Sequence, residues 1–163
     1  MVGALARLNL NKESLHKETK KDASKYLKLF PSNNIFHNNL AQGIEILHSI
    51  DKSIEILETN DFKPEKPKET IPKACTGIGV IEAPRGTLFY KLNIDKDGII
   101  KEGTIIVPTQ QNQINMELDI KNLVQNSLLT LSKEQISLEI EKLIRAYDPC
   151  ISCATHFLKV NWI

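Results

Sequence analysis

Apolar residues follow a helical period in the first part of the chain. From residue 36 to residue 57 they recur every three or four positions, which predicts a helix of about six turns whose apolar stripe faces the core. A weaker pattern of the same period covers residues 11–30, and Pro31 should end that helix because proline cannot continue it. Residues 59–73 lack any period and are rich in proline and lysine, which predicts an exposed connector.

The period changes to that of β-strands in the middle of the chain. Short runs of β-branched and other apolar residues cover 78–81, 87–94, 99–100 and 104–107. The sequence Asp-Lys-Asp-Gly at 95–98 separates two of these runs and is typical of a hairpin turn. A small antiparallel sheet is therefore predicted here.

Helical periodicity returns after Asn115 and continues to Leu128. A further helix should begin after Ser132, whose hydroxyl can form a capping box with Gln135. Asp148 should follow its end, because the residue before a proline is pushed out of helical geometry. Together these patterns predict an α+β fold, mainly helical with a small antiparallel β-sheet.

The composition is that of a soluble globular domain. The chain has 163 residues, of which 41% are hydrophobic, and its net charge is +1. This charge gives no electrostatic reason to expect nucleic acid or an anionic membrane as a partner. No apolar run approaches the roughly 18–20 residues of a membrane span, and residues 1–7 do not resemble a signal peptide. We therefore expect a cytoplasmic protein.

Three cysteines, an odd number, favour thiolate chemistry over a disulfide framework. Cys150 and Cys153 are three positions apart and can reach one metal ion. By itself this pair is compatible with half a zinc site, with a redox dithiol or with chance. A thioredoxin-type dithiol should follow a strand, whereas this pair follows a predicted helix. Cys75 has no neighbouring cysteine and is expected to be a small buried or half-buried residue.

Four segments carry a more specific pattern. The string Asp-Pro-Cys-x-x-Cys-x-x-His at 148–156 resembles the C-terminal signature of the large subunit of nickel–iron hydrogenases. Glu-Ala-Pro-Arg-Gly at 82–86 resembles the arginine motif of that family, and Val-Pro-Thr at 107–109, followed by Asn112, resembles a later motif. Residues 2–9 are similar to a stretch of its cytosolic, multi-subunit members. The resemblance implies the C-terminal part of the large-subunit fold.

The resemblance also implies a nickel–iron centre whose iron carries cyanide and carbon monoxide ligands. Cys150 and Cys153 would be two of four nickel thiolates, with Cys153 bridging nickel to iron. Arg85 and Thr109, beside Pro84 and Pro108, match the positions that hold the diatomic ligands. These donors suit that task because a guanidinium and a hydroxyl can both donate to cyanide nitrogen.

Further roles follow from the same resemblance. Asp148 would form a buried ion pair with Arg85. His156 and the backbone carbonyl near Ile105 would hold Mg²⁺ or Fe²⁺. The implied reaction is reversible heterolytic cleavage of dihydrogen, and the Cys150 thiolate is the first candidate for accepting the proton. Arg85 is the second candidate, but its high pKa favours an electrostatic and positioning role.

Parts of the family's site are not in this sequence. The Arg-x-Cys-x-x-Cys motif that provides the other two thiolates is absent, as is the glutamate that transfers protons. The resemblance thus implies an N-terminal portion of the large subunit and an iron–sulfur small subunit as partners. It also implies a maturation endopeptidase that removes the tail 157–163 and leaves a mature portion 1–156. The chain could be part of a split subunit, a fragment or a non-catalytic remnant, and a CxxC zinc or redox module is the other alternative.

Overall fold

The computed structural model describes residues 1–152 and 160–162. Its helices are α1 Ala4–Asn11, α2 Lys17–Asp22, α3 Ser24–Leu27, α4 His37–Thr59, α5 Pro108–Ser127 and α6 Lys133–Ala146, with a 3₁₀ turn at Lys12–Ser14. Its strands are β1 Cys75–Ala83, β2 Gly86–Ile94 and β3 Ile100–Ile106. The prediction of a mainly helical α+β fold is confirmed.

The three strands form an antiparallel sheet in the order β1-β2-β3. Ala83 pairs with Gly86, so Pro84 and Arg85 alone form the turn between β1 and β2. The predicted hairpin at 95–98 connects β2 to β3. There the Asp95 carboxylate accepts hydrogen bonds from the backbone N–H groups of Asp97 and Ile99. Lys101 also binds this carboxylate, which lowers the pKa of Asp95 below its ordinary value.

Two hydrophobic clusters hold the helices together. The first joins α1, α4 and the short helices between them, and the second joins α5 and α6 around Ile35. Asn38 connects the two parts because its side chain accepts from the N–H of Leu5, at 3.1 Å, and donates to the carbonyl of Ala146, at 2.9 Å. Both bonds are buried, so this amide replaces water for groups at two helix ends.

The long helix is confirmed at α4, but its apolar stripe is buried only in part. Ala41 and Ile44 belong to the first core cluster. Farther along the helix, Ile50, Ile54 and Leu57 are 52%, 49% and 68% exposed. The expectation that the whole stripe faces the core was therefore wrong, because α2 packs on the side of α4 that carries Asp51 and leaves these three apolar residues exposed.

Two helix boundaries also differ from the prediction. Residues 11–30 form short pieces rather than one helix, because the backbone is extended at Leu15 and His16, and the His16 side chain caps the new helix α2 by accepting from the N–H of Glu18. Helix α5 begins at Pro108, well before residue 115. Proline is favourable at a first helical position, but the polar residues that follow it carry no apolar period.

Two details concern chemistry and solvent. Cys75 is exposed at the start of β1, so the expectation that it is buried or half-buried was wrong; it belongs to a strand at the sheet edge that the rest of the described chain leaves largely uncovered. The capping box of Ser132 and Gln135 is confirmed at the start of α6. Within the described residues, no helix is long and apolar enough to cross a membrane.

Candidate metal centre

Three chain segments meet at the candidate site. They are the β1–β2 turn with Pro84 and Arg85, the first turn of α5 with Pro108 and Thr109, and the stretch after α6 that begins at Tyr147. The side chain of Gln111 donates to the backbone carbonyl of Thr87, at 2.6 Å, and so fixes α5 against β2. Segments that are far apart in the sequence thus become neighbours.

The Arg85 side chain contacts both the main chain and the side chain of Asp148. Arg85 Nε donates to the Asp148 carbonyl oxygen, at 2.9 Å, and lies 3.1 Å from Oδ2. Gln42 on α4 donates to the same Oδ2, at 2.8 Å. The two paired side chains are 43% and 35% exposed, so the pair is not buried by the described residues as the resemblance had implied.

The backbone of Asp148 makes this double contact possible. Its φ of 51° lies in the left-handed region, which aspartate tolerates better than most residues but which still stores some strain. The conformation follows the C-cap of α6 at Tyr147 and precedes Pro149. It brings the carbonyl and the carboxylate of one residue to the same guanidinium nitrogen.

Thr109 connects α5 to the cysteine segment. Its side chain is buried, and Oγ1 accepts a hydrogen bond from the backbone N–H of Cys150 at 3.0 Å. A hydroxyl that accepts in this way keeps its own proton to donate elsewhere. Pro108 and Thr109 lie in the first turn of α5, where the helix dipole places partial positive charge.

Not every predicted ligand belongs to the described residues. Cys150 is half-buried, and its Sγ lies 3.6 Å from Ser152 Oγ. Ile105 lies in β3, half-exposed and paired with Tyr90. Cys153 and His156 lie outside the described residues. Within 1–152 and 160–162, no three His, Cys, Asp or Glu side chains lie close enough together to hold a metal ion.

The opening segment packs directly against the turn that carries Arg85. Gly3 has a φ of 111°, and a Cβ there would lie 2.9 Å from the Arg85 carbonyl oxygen. Only glycine therefore allows this close approach. Val2 exchanges two hydrogen bonds with the Asn112 side chain, and Arg7 donates to the Pro84 carbonyl at 2.8 Å.

All the segments of the site lie within one match to a known protein family. A family model for nickel-dependent hydrogenases matches residues 2–156. The chain belongs to the nickel-dependent hydrogenase family. It is 34% identical over 161 residues to sulfhydrogenase 2 subunit alpha of Pyrococcus furiosus, covering 98% of this chain and 39% of that protein. It is 37% identical over 165 residues to the NAD-reducing hydrogenase HoxS subunit beta of Cupriavidus necator, covering 96% of this chain and 34% of that protein.

Solved structures of this family agree with the fold of the chain. An NAD⁺-reducing [NiFe]-hydrogenase in the H₂-reduced state matches 95% of the chain with a TM-score of 0.67 and 30% identity, over 35% of its own length. A [NiFeSe]-hydrogenase from Dm. baculatum matches with a TM-score of 0.59 and 22% identity, which shows the fold alone. The chain thus has the fold of the C-terminal part of a nickel–iron hydrogenase large subunit. It spans about a third of the length of these relatives.

Sequence reasoning identified the segments but missed several side chains that hold them. The sequence pattern assigns no role to Gln42, Arg7 or Glu45. In the structure, Gln42 contacts Asp148, and Arg7 binds the residues before Arg85. The one available signal was charge, because Arg7 and Glu82 lie in two of the four family motifs. Gln42 and Glu45 lie outside those motifs, on a helix whose apolar period gave no reason to single out its polar residues.

Proposed function

We propose that the chain is the C-terminal portion of the catalytic subunit of a nickel–iron hydrogenase, where Cys150 and Cys153 supply two of four nickel thiolates. The observation that carries this proposal is the meeting of Arg85 and Asp148 with the segment of Cys150 and Thr109. A cysteine, a cation and a buried hydroxyl from three different segments come together there. Such convergence is expected of a functional site rather than of a surface loop.

The two cysteines of the CxxC pair fit half of the thiolate ligands that such a centre needs. Thiolates are soft ligands that suit nickel in a sulfur-rich site, and the chain offers two of them in a CxxC pair. When bound, the nickel–iron centre supplies the reversible heterolytic cleavage of dihydrogen. Its cyanide and carbon monoxide ligands need hydrogen-bond donors nearby, and both Arg85 and Thr109 can donate.

The described side chains have distinct tasks in this proposal. Arg85 uses Nε to bind Asp148, so its two terminal nitrogens can donate to a ligand of iron. Thr109 accepts from Cys150 and donates its own proton in the same way. Pro84 and Pro108 shape the turn and the helix start that present these donors. Cys150 Sγ, as a thiolate, accepts the proton released from dihydrogen, and Arg85 remains charged.

The remaining ligands require other polypeptides or other residues. The other two thiolates and a proton-transfer glutamate are assigned to an N-terminal portion of the large subunit, and electrons leave through the iron–sulfur clusters of a small subunit. The exposed apolar end of α4 supports a chain that packs against another polypeptide. His156 and the carbonyl of Ile105 are assigned to Mg²⁺ or Fe²⁺. We propose that the assembly acts in the cytoplasm.

The tail 157–163 is proposed to leave during maturation, so that the mature chain ends at His156. An endopeptidase would remove it once nickel is in place. The prediction is checked by intact-mass measurement of the chain from active native complex. Loss of the seven residues 157–163 is expected. Active complex whose chain still carries Trp162 would contradict the assignment.

Hydrogen uptake tests the proposed function directly. The chain is purified through a tag together with its native partners, and uptake is measured for wild type, Cys150→Ser and Cys75→Ser. Cys75 is the matched control because it is an exposed cysteine at the start of β1. Uptake should be lost with Cys150→Ser alone. Complex that carries every partner but takes up no hydrogen would instead support a non-catalytic scaffold or a zinc or redox module.

A further inference from the structure

Arg7 makes five hydrogen bonds with five different acceptors. Its Nε and Nη2 bind the two carboxylate oxygens of Glu45, at 2.7 and 2.5 Å. Nη1 binds Glu82 and also the backbone carbonyl of Ala83, at 3.0 Å. Nη2 also binds the carbonyl of Pro84. A guanidinium has five N–H donors, so every one of them is used.

These acceptors connect three elements at one point. Arg7 belongs to α1 and Glu45 to α4, whereas 82–84 are the last residues of β1 and the first residue of the turn. The next residue in the chain is Arg85, whose guanidinium contacts Asp148. Arg7 therefore holds the backbone on one side of Arg85, and Gly3 packs on the carbonyl of Arg85 itself.

We propose that Arg7 is a positioning residue for Arg85, which fixes the backbone of 82–84 so that the Arg85 guanidinium stays against Asp148. The part of this proposal that concerns hydrogen turnover rests on the proposed function, whereas the positioning itself does not. Arg7 does not bind metal or substrate in this scheme. It acts only through the place that it gives to Arg85.

The charges around Arg7 stabilise its hydrogen bonds to Glu45 and to residues 82–84. Its side chain and that of Glu45 are only 27% and 21% exposed. Hydrogen bonding to Glu45 raises the pKa of Arg7 and outweighs the opposing effect of burial, and Glu82 adds to it. A neutral side chain at position 7 would leave these two carboxylates facing each other. Lysine would keep the charge but, as a point donor, could not reach all five acceptors.

The test observes Arg85 directly by NMR. The full chain contains three arginines, Arg7, Arg85 and Arg145, so ¹⁵N labelling of arginine gives three Nε–H signals. In Arg7→Lys, the Arg85 signal should move toward that of a solvated guanidinium, and its exchange with water should rise about tenfold as the bond to Asp148 opens. The signal of exposed Arg145, on α6, should not change. If Arg7→Lys does not fold, it is replaced by Glu82→Gln, which weakens one hydrogen bond of Arg7. This variant should move the Arg85 signal in the same direction.

Lys12→Met is the matched control for a general loss of stability. Lys12 also joins two backbone carbonyls, those of Leu27 and Phe30, but it does not contact residues 82–85. The Arg85 signal should stay in place in this variant even where its thermal unfolding temperature falls as far as that of Arg7→Lys. An unmoved Arg85 signal in folded Arg7→Lys, or an equal movement in Lys12→Met, would overturn the proposal.

Turnover provides the second readout. In the native complex, Arg7→Lys should lower the rate of hydrogen uptake about tenfold while nickel content stays at the wild-type value. Normal uptake together with a displaced Arg85 signal would overturn the link between this position and turnover. Absence of uptake in the wild-type complex would contradict the proposed function, whereas the NMR result would still decide whether Arg7 positions Arg85.

Discussion

Arg85 is held far more firmly than its place in a two-residue turn suggests. Its guanidinium contacts Asp148, 63 residues later, and Gln42 holds the same carboxylate from α4. The packing of Gly3 on its carbonyl oxygen fixes the backbone as well. An arginine whose backbone and guanidinium are both restrained is suited to hold one orientation toward a bound group.

Arg85→Lys should therefore lower hydrogen uptake by about 100-fold while the nickel and iron contents stay unchanged, because lysine lacks the planar fork. Uptake and metal content are measured on the same preparation of the native complex. Arg145→Lys is the matched control, since Arg145 is exposed on α6. Wild-type uptake by Arg85→Lys would contradict the role given to this residue.

Single side chains also join the helices into one unit. Asn38, only 3% exposed, connects α1 to the end of α6, and Tyr147 donates a hydrogen bond to Asp119 on α5 at 2.6 Å. These contacts link segments that the hydrophobic clusters alone would hold less specifically. The relative positions of the helices at the site therefore depend on a few buried polar groups.

Asn38→Ala should lower the free energy of unfolding by about 2–4 kcal/mol, because a backbone N–H and a carbonyl would lose their buried partner. Urea unfolding of the full chain measures the change. The neighbouring Asn39→Ala is the control, because Asn39 is exposed on the same helix. Equal effects of the two substitutions would show that helix propensity, rather than the bridge, explains the loss.

The contribution of Tyr147 should depend on pH. Burial and the Asp119 carboxylate both raise the pKa of its hydroxyl above the ordinary value. Removing the hydrogen bond in Tyr147→Phe should cost about 1 kcal/mol at neutral pH. Above about pH 10 the unfolded phenol ionises before the folded one, so the advantage of wild type is lost as pH rises.

Urea unfolding at a series of pH values measures this difference. Tyr26→Phe, at a half-exposed tyrosine on α3, controls for the loss of a phenol outside the core. A difference between wild type and Tyr147→Phe that stays constant well above pH 10 would contradict the prediction.

Local signals explain which elements could be predicted. The period of α4, the hairpin at 95–98 and the capping box of Ser132 are each encoded within a few residues, and all three are confirmed. The break at 11–30 lies at the extended backbone of Leu15 and His16, which an apolar period does not reveal. The start of α5 lies among polar residues and left no apolar signal.

The same distinction holds for the candidate site. The motifs at 82–86 and 148–156 identified Arg85 and Asp148 because each motif is continuous in sequence. The support from Gln42 and from Arg7 with Glu45 depends on how α1 and α4 pack, so no short pattern contains it. Whether Cys153 and His156 act as ligands stays a prediction.

At the scale of the whole molecule, the chain has the fold of a larger subunit's C-terminal part. It covers 34–39% of the length of the two relatives described above. Large apolar residues are exposed both at the end of α4 and in the sheet, which is unusual for a protein acting alone. Both findings support the proposal that residues outside this sequence complete the site.

The metal content of the native complex tests the central claim most directly. Nickel, iron and zinc are quantified per chain in wild type, in Cys150→Ser and in Cys75→Ser, with each protein purified together with its partners. Nickel should be bound in wild type and in Cys75→Ser, with iron, and should be lost in Cys150→Ser because a nickel thiolate is removed. Zinc alone in wild type, no metal, or nickel unchanged by Cys150→Ser would contradict the assignment of this chain to a nickel–iron centre.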